Sequence, residues 1–125
     1  KSQDGVFIHV SHGVSGEHGP DHAQRVLMAF KMADVMSSDK PVAMYFDIDA
    51  VHLLLKGGPD VSAPGFDSSK AMIAKLLKAG VKMYVCPACL KAAGRSESDV
   101  LDGVQIANKD AFFAFTSGRI LSLSY

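Results

Sequence analysis

Two cysteines stand three apart in the stretch VCPACLKAAG, as Cys86 and Cys89, and the chain has no others. Thiols at this spacing can form a redox couple, half of a metal site, a sulfur-carrying nucleophile with a helper, or two small core residues. The apolar run Val81–Val85 (VKMYV) before them reads as a strand, and Pro87 is the residue type favoured at the first position of a helix. This makes Cys86 the expected N-cap and Cys89 the third helical residue. A thiol there meets free backbone N–H groups, which favour the thiolate, the nucleophilic form. Cys89 is close enough to assist or to close a disulfide.

Other reactive side chains follow strands in the same way. Val6–Val10 (VFIHV) leads into a glycine- and histidine-rich loop with His12, His18 and His22. Val42–Phe46 (VAMYF) leads into Asp47 and Asp49. In open α/β sheets ligand sites lie at the carboxyl ends of the strands. His12, Asp47 and Asp49 are therefore the expected neighbours of the thiols. Capping of the following turn is the plain role for the two aspartates, and proton handling the chemical one. A carboxylate beside a thiolate would raise the thiol's pKa. His9, inside the first strand, reads as a hydrogen-bonded core or interface residue, and His52 as a helix-edge residue.

These groups are spaced by alternating strands and helices. Ala23, Val26, Leu27, Phe30 and Ala33 recur at helical spacing, giving a helix over 22–37, with Asp21 and Gln24 as its expected capping box. Gly57–Ser68 is loop, read either as a lid with Phe66 as its apolar contact or as a surface crossover. Ser68 or Ser69 opens the next helix, and Gly80 suits the left-handed position past its end. Ser96 and Asp99 suit a further short helix. Val104–Ala107, a Phe-rich helix from Asn108 to Gly118 and the alternating Arg119–Tyr125 complete the pattern. Phe112, Phe113 and Phe115 read as core or subunit interface rather than a cofactor box. Continuous apolar strands alternating with helices predict an α/β fold: a three-layer α/β/α sandwich with a mostly parallel sheet of about five strands, flavodoxin-like in form. At 125 residues the chain is expected to be one domain, 1–125.

Thirteen basic and thirteen acidic residues without runs of either sign argue against nucleic acid or an anionic membrane as partner. No apolar stretch reaches the ~18 residues of a membrane span. No glycine loop has the lysine and spacing of a phosphate cradle, and no cofactor is expected.

The segments FIHVSHG, DHAQRVLMAFKMAD, VAMYFDIDAVHLLLKGG and CPACLKAAG together resemble the DsrE/DsrF-like family over nearly the whole chain. The resemblance implies a small α/β protein that assembles into dimers, trimers or hexamers. It also implies sulfur carried as a cysteine persulfide between a protein donor and a protein acceptor, in a sulfurtransferase or sulfur relay. In some members the carrier cysteine stands eight residues before a closing glycine, as Cys86 does before Gly94; in others it stands five before, as Cys89 does. The N-cap geometry favours Cys86. Ala93 stands where many relatives carry Arg, and Arg95 follows the glycine. Two alternatives remain: a dithiol redox protein, weakened because no proline follows Pro87 to face the pair, and a metal site with cysteine and histidine ligands, for which Cys86 and Cys89 supply only half. The family default is the cytosol, and a chain beginning at Lys1 leaves export open.

Overall fold

The computed structural model describes residues 3–125. Five strands form one parallel sheet: β1 (Gly5–Val10), β2 (Val42–Phe46), β3 (Lys82–Val85), β4 (Gln105–Ile106) and β5 (Ile120–Ser124), in the order β4-β3-β2-β1-β5. Four α-helices separate them: α1 (Ala23–Met36), α2 (Ser69–Lys78), α3 (Pro87–Ala92) and α4 (Ala111–Ala114). This is the expected three-layer α/β/α arrangement.

The order explains why the two faces differ. The first four strands step in one direction across the sheet, and right-handed crossovers place α1, α2 and α3 on one face. The chain then returns from β4 to the opposite edge, which puts α4 on the other face. Val6, Ile8 and Val10 pair with Val42, Met44 and Phe46, and Met44 and Phe46 pair with Met83 and Val85. All eight are buried beneath Val26, Leu27 and Phe30 of α1 and Met72, Ile73 and Leu76 of α2. The opposite face carries Phe7, Tyr45 and Tyr84, covered by Phe112 of the single-turn α4. Its ring lies 5.2 Å from Phe7, 4.8 Å from Tyr45 and 6.2 Å from Tyr84.

Several expected boundaries shift. Asp21 does not cap α1, because Pro20 starts a 3-10 turn at Gly19–His22 and places Asp21 inside it; His22 precedes the helix without a side-chain cap bond. Ser68 does cap α2, its hydroxyl accepting from the Ala71 N–H at 3.4 Å. Gly80 takes the left-handed conformation, with φ 92°. Ser96 and Asp99 form a capping box around the 3-10 turn Glu97–Asp99. The Phe-rich helix shrinks to one turn, with Asn108 Oδ1 accepting from the Ala111 N–H. Phe113 points away from the sheet and is 71% exposed. Gly57–Ser68 is a packed crossover. Val61 is buried, its N–H bonded to Ser69 Oγ at 2.8 Å, and Phe66 rests on the core.

Phe112 is the hub of the thinner layer. Phe112→Ala is expected to lower the unfolding free energy by about 2 kcal/mol, less than a fully buried phenylalanine because the ring is only half-buried. Urea denaturation of the variant against the parent chain measures it.

Candidate functional site

The strands reach a common rim. Val10, Phe46, Val85 and Ile106 are in register, and one residue back His9, Tyr45, Tyr84 and Gln105 form a row on the α4 face. Side chains alternate along a strand. Asp47 and Cys86 therefore follow Tyr45 and Tyr84 on that same side, on adjacent strand ends. The Cys86 N–H donates to the Phe46 carbonyl at 2.9 Å, so the sheet ladder itself holds the cysteine in place.

From there the chain turns into α3. Cys86 is its N-cap in extended backbone, and Pro87 opens the first turn. The Cys89 N–H donates to Cys86 Sγ at 3.4 Å. Leu90 is buried beneath this turn and anchors it. Both thiols are half-buried, so neither is sealed in the core.

Burial alone would push the Cys86 thiol up. The Tyr45 hydroxyl, the Cys89 N–H and thiol and the Ala88 N–H favour its thiolate and together hold it below the ordinary thiol range; the Cys89 N–H makes the hydrogen bond to the sulfur. Cys89 moves the other way. The Ile48 N–H favours its thiolate, but desolvation, the neighbouring Cys86 sulfur and the Asp47 carboxylate outweigh that influence and raise it. The pair is thus split into one thiolate-prone sulfur and one that keeps its proton. Tyr45 is raised as well, first by burial and then by its bond to Cys86. It remains a neutral donor.

Ile48 is an unusual donor. Its φ is 51°, in the left-handed region, where a β-branched residue costs about 1–2 kcal/mol. Its side chain is 64% exposed. The left-handed residue lies where the chain enters the 3-10 segment Ile48–Leu54, and its N–H favours the Cys89 thiolate.

The aspartates do not cap that segment. Asp47 makes no side-chain cap bond; its Oδ1 lies 2.7 Å from His9 Nε2 across the β1–β2 boundary. Asp49 Oδ2 accepts from the Ser15 N–H at 3.1 Å and so ties down the histidine loop. His12 packs edge-on against His22 with ring centres 4.7 Å apart, and makes no hydrogen bond to either thiol. Both rings line an open hollow of about 450 Å³ with Ile48 and Asp49. Among the described residues no three His, Cys, Asp or Glu side chains are grouped to hold a metal ion. Arg95 points elsewhere, into a cleft with Lys56 and His52. A larger hollow lies at the amino ends of the strands around Asp4, Lys40 and Arg119, and is lined by neither cysteine nor histidine.

Tyr45 and His9 are the site residues that local sequence does not reveal. His9 is hydrogen-bonded, as expected, and its ring stacks on Tyr45 at 5.5 Å and 25°.

Residues 5–117 match the model of the DsrE/DsrF-like family. The chain belongs to the DsrE/DsrF-like family. An uncharacterized protein of Methanocaldococcus jannaschii is 30% identical over 101 residues, which are 79% of this chain and 37% of that protein. The chain thus spans little more than a third of that relative's length. Two solved structures share the fold. A protein of unknown function from Methanobacterium thermoautotrophicum has a TM-score of 0.63 at 18% identity, covering 85% of this chain and 82% of its own. The ychN protein from E. coli has a TM-score of 0.64 at 20% identity, covering 96% and 99%. Family membership supports a role of the sulfur-relay type at the level of the family.

Two substitutions separate the influences on the thiols. Tyr45→Phe removes one donor from the Cys86 sulfur. Cys86 alkylation at neutral pH is then expected to slow by about tenfold, the worth of one hydrogen bond to a charged group. Asp47→Asn removes a repelling carboxylate and is expected to lower the Cys89 pKa. Iodoacetamide rates against pH, read at each cysteine by peptide mass, check both signs.

Proposed function

We propose that this protein carries sulfane sulfur as a persulfide on Cys86 and passes it to a partner thiol. The observation that carries the reading is the placement of a half-buried Cys86 at the N-cap of α3, its sulfur accepting from the Cys89 N–H, with the Tyr45 hydroxyl and the Ala88 N–H also favouring its thiolate. These donors stabilise Cys86 as the attacking thiolate when it takes sulfur from a donor. They stabilise the same thiolate as leaving group when the sulfur is handed on.

Cys89 is the helper. Its retained proton keeps it from competing for the donor's sulfur. Once ionised, it can attack Cys86 Sγ in the persulfide, forming the Cys86–Cys89 disulfide and releasing hydrosulfide. The same split pair supports a second reading, a dithiol–disulfide redox protein.

Donor and acceptor are proteins in this reading, and further copies of this chain are partners too. Phe113, Ile120 and Leu121 are large exposed apolar groups on α4 and the β5 edge, and Val35 is another on α1; they are suited to packing between copies. Sedimentation or light scattering reports the assembly.

Incubation with a polysulfide donor is expected to add the mass of one sulfur atom to the Cys86 peptide. Cys86→Ser abolishes the gain. Cys89→Ser keeps it and slows release of hydrosulfide. A chain that gains no sulfur, yet cycles its disulfide with a dithiol reductant, is the redox protein instead.

A further inference from the structure

The His9–Asp47 pair has no part in holding the Cys86 sulfur, yet it occupies the same rim. His9 Nε2 and Asp47 Oδ1 are 2.7 Å apart, a short charge-assisted hydrogen bond. The side chains are 35% and 18% exposed, so solvent and an incoming group reach the imidazole while the carboxylate stays mostly covered. The ring is stacked on Tyr45, the residue whose hydroxyl favours the Cys86 thiolate. Asp47 is itself on the strand end beside Cys86.

This arrangement fixes a tautomer. An ionised carboxylate accepts only, so Nε2 carries a proton, and in the neutral ring Nδ1 keeps the lone pair. Nδ1 makes no hydrogen bond among the described residues. The groups around His9 are few. From β2 it meets Asp47 and Tyr45; from β5 Ser124 is in register with it, and the Tyr125 N–H donates to its carbonyl. The α4 layer presents Phe112 and Phe115 to this face. A tie between two strand ends needs neither an accessible imidazole nor a free nitrogen.

We infer that His9, oriented by Asp47, is the general base that takes the proton from the acceptor thiol arriving at this rim. The inference rests on the persulfide reading and deepens it. The acceptor's S–H proton goes to His9 Nδ1, and its sulfur attacks the outer sulfur of the Cys86 persulfide. The S–S bond breaks, and its electron pair returns to Cys86 Sγ, which leaves as the thiolate held by Tyr45, Cys89 and Ala88. The outer sulfur departs on the acceptor as a new persulfide. No oxidant or reductant is consumed. The role resembles that of a hydrolytic triad, where a carboxylate holds histidine in the tautomer that can accept a proton.

The test compares two acceptors on protein preloaded with polysulfide. Mercaptoethanol is protonated at neutral pH and needs a base; thionitrobenzoate is already ionised and does not. His9→Gln is expected to lower the ratio of the mercaptoethanol rate to the thionitrobenzoate rate by about a hundredfold. Asp47→Asn is the second variant. Its amide can donate to Nε2 and drive the ring proton to Nδ1, so the same ratio falls. A ratio unchanged in both variants, with sulfur still loaded on Cys86, overturns this inference alone. Wild-type protein that takes up no sulfur on Cys86 overturns the persulfide reading with it.

Discussion

The chemistry of this protein depends on the polar donors placed around the Cys86 sulfur. Burial of a thiol works against its ionisation, and Cys86 is partly buried. The Tyr45 hydroxyl and the N–H groups of Ala88 and Cys89 reverse that balance. The donors come from two structural decisions. Tyr45 comes from the central strand β2 and is braced by Phe112. The two N–H groups come from a helix that starts at Pro87, immediately after β3. Remove the sheet register or the helix start, and the sulfur becomes an ordinary half-buried thiol.

The same rim separates the fates of two sulfurs one helical turn apart. Cys86 receives neutral donors. Cys89 receives one donor, from Ile48, and the repulsion of both Asp47 and the Cys86 sulfur. The left-handed Ile48 is the structural cost of that arrangement. A backbone strained at one non-glycine residue, beside the thiols and nowhere else among the described residues, fits a site where geometry has been kept against local preference.

Much of this is legible in the sequence, and the part that is not has a physical reason. The start of α3 depends on Pro87 and on a strand directly before it, which are local signals; so Cys86 as N-cap could be read from five residues. Ser68, Gly80 and the Ser96–Asp99 turn are local in the same sense. Tyr45 and His9 are different. Their importance lies in which strands are neighbours and in what register, and strand order is not written in any short stretch. Asp47 shows the competition directly. Its position at a turn start predicts capping, but parallel pairing of β1 with β2 offers it His9, and the shorter, charge-assisted contact wins. Asp21 lost its capping role to the adjacent Pro20, a signal present in the sequence but outweighed there by the Asp–Gln spacing.

The most direct measurement is the ultraviolet absorbance of the thiolate against pH in the Cys89→Ser variant, where Cys86 is the only thiol. A midpoint below that of an unperturbed cysteine, moving upward when Tyr45→Phe is added, is the expected result. A midpoint at or above the unperturbed value of about 8.5, indifferent to Tyr45, would contradict it.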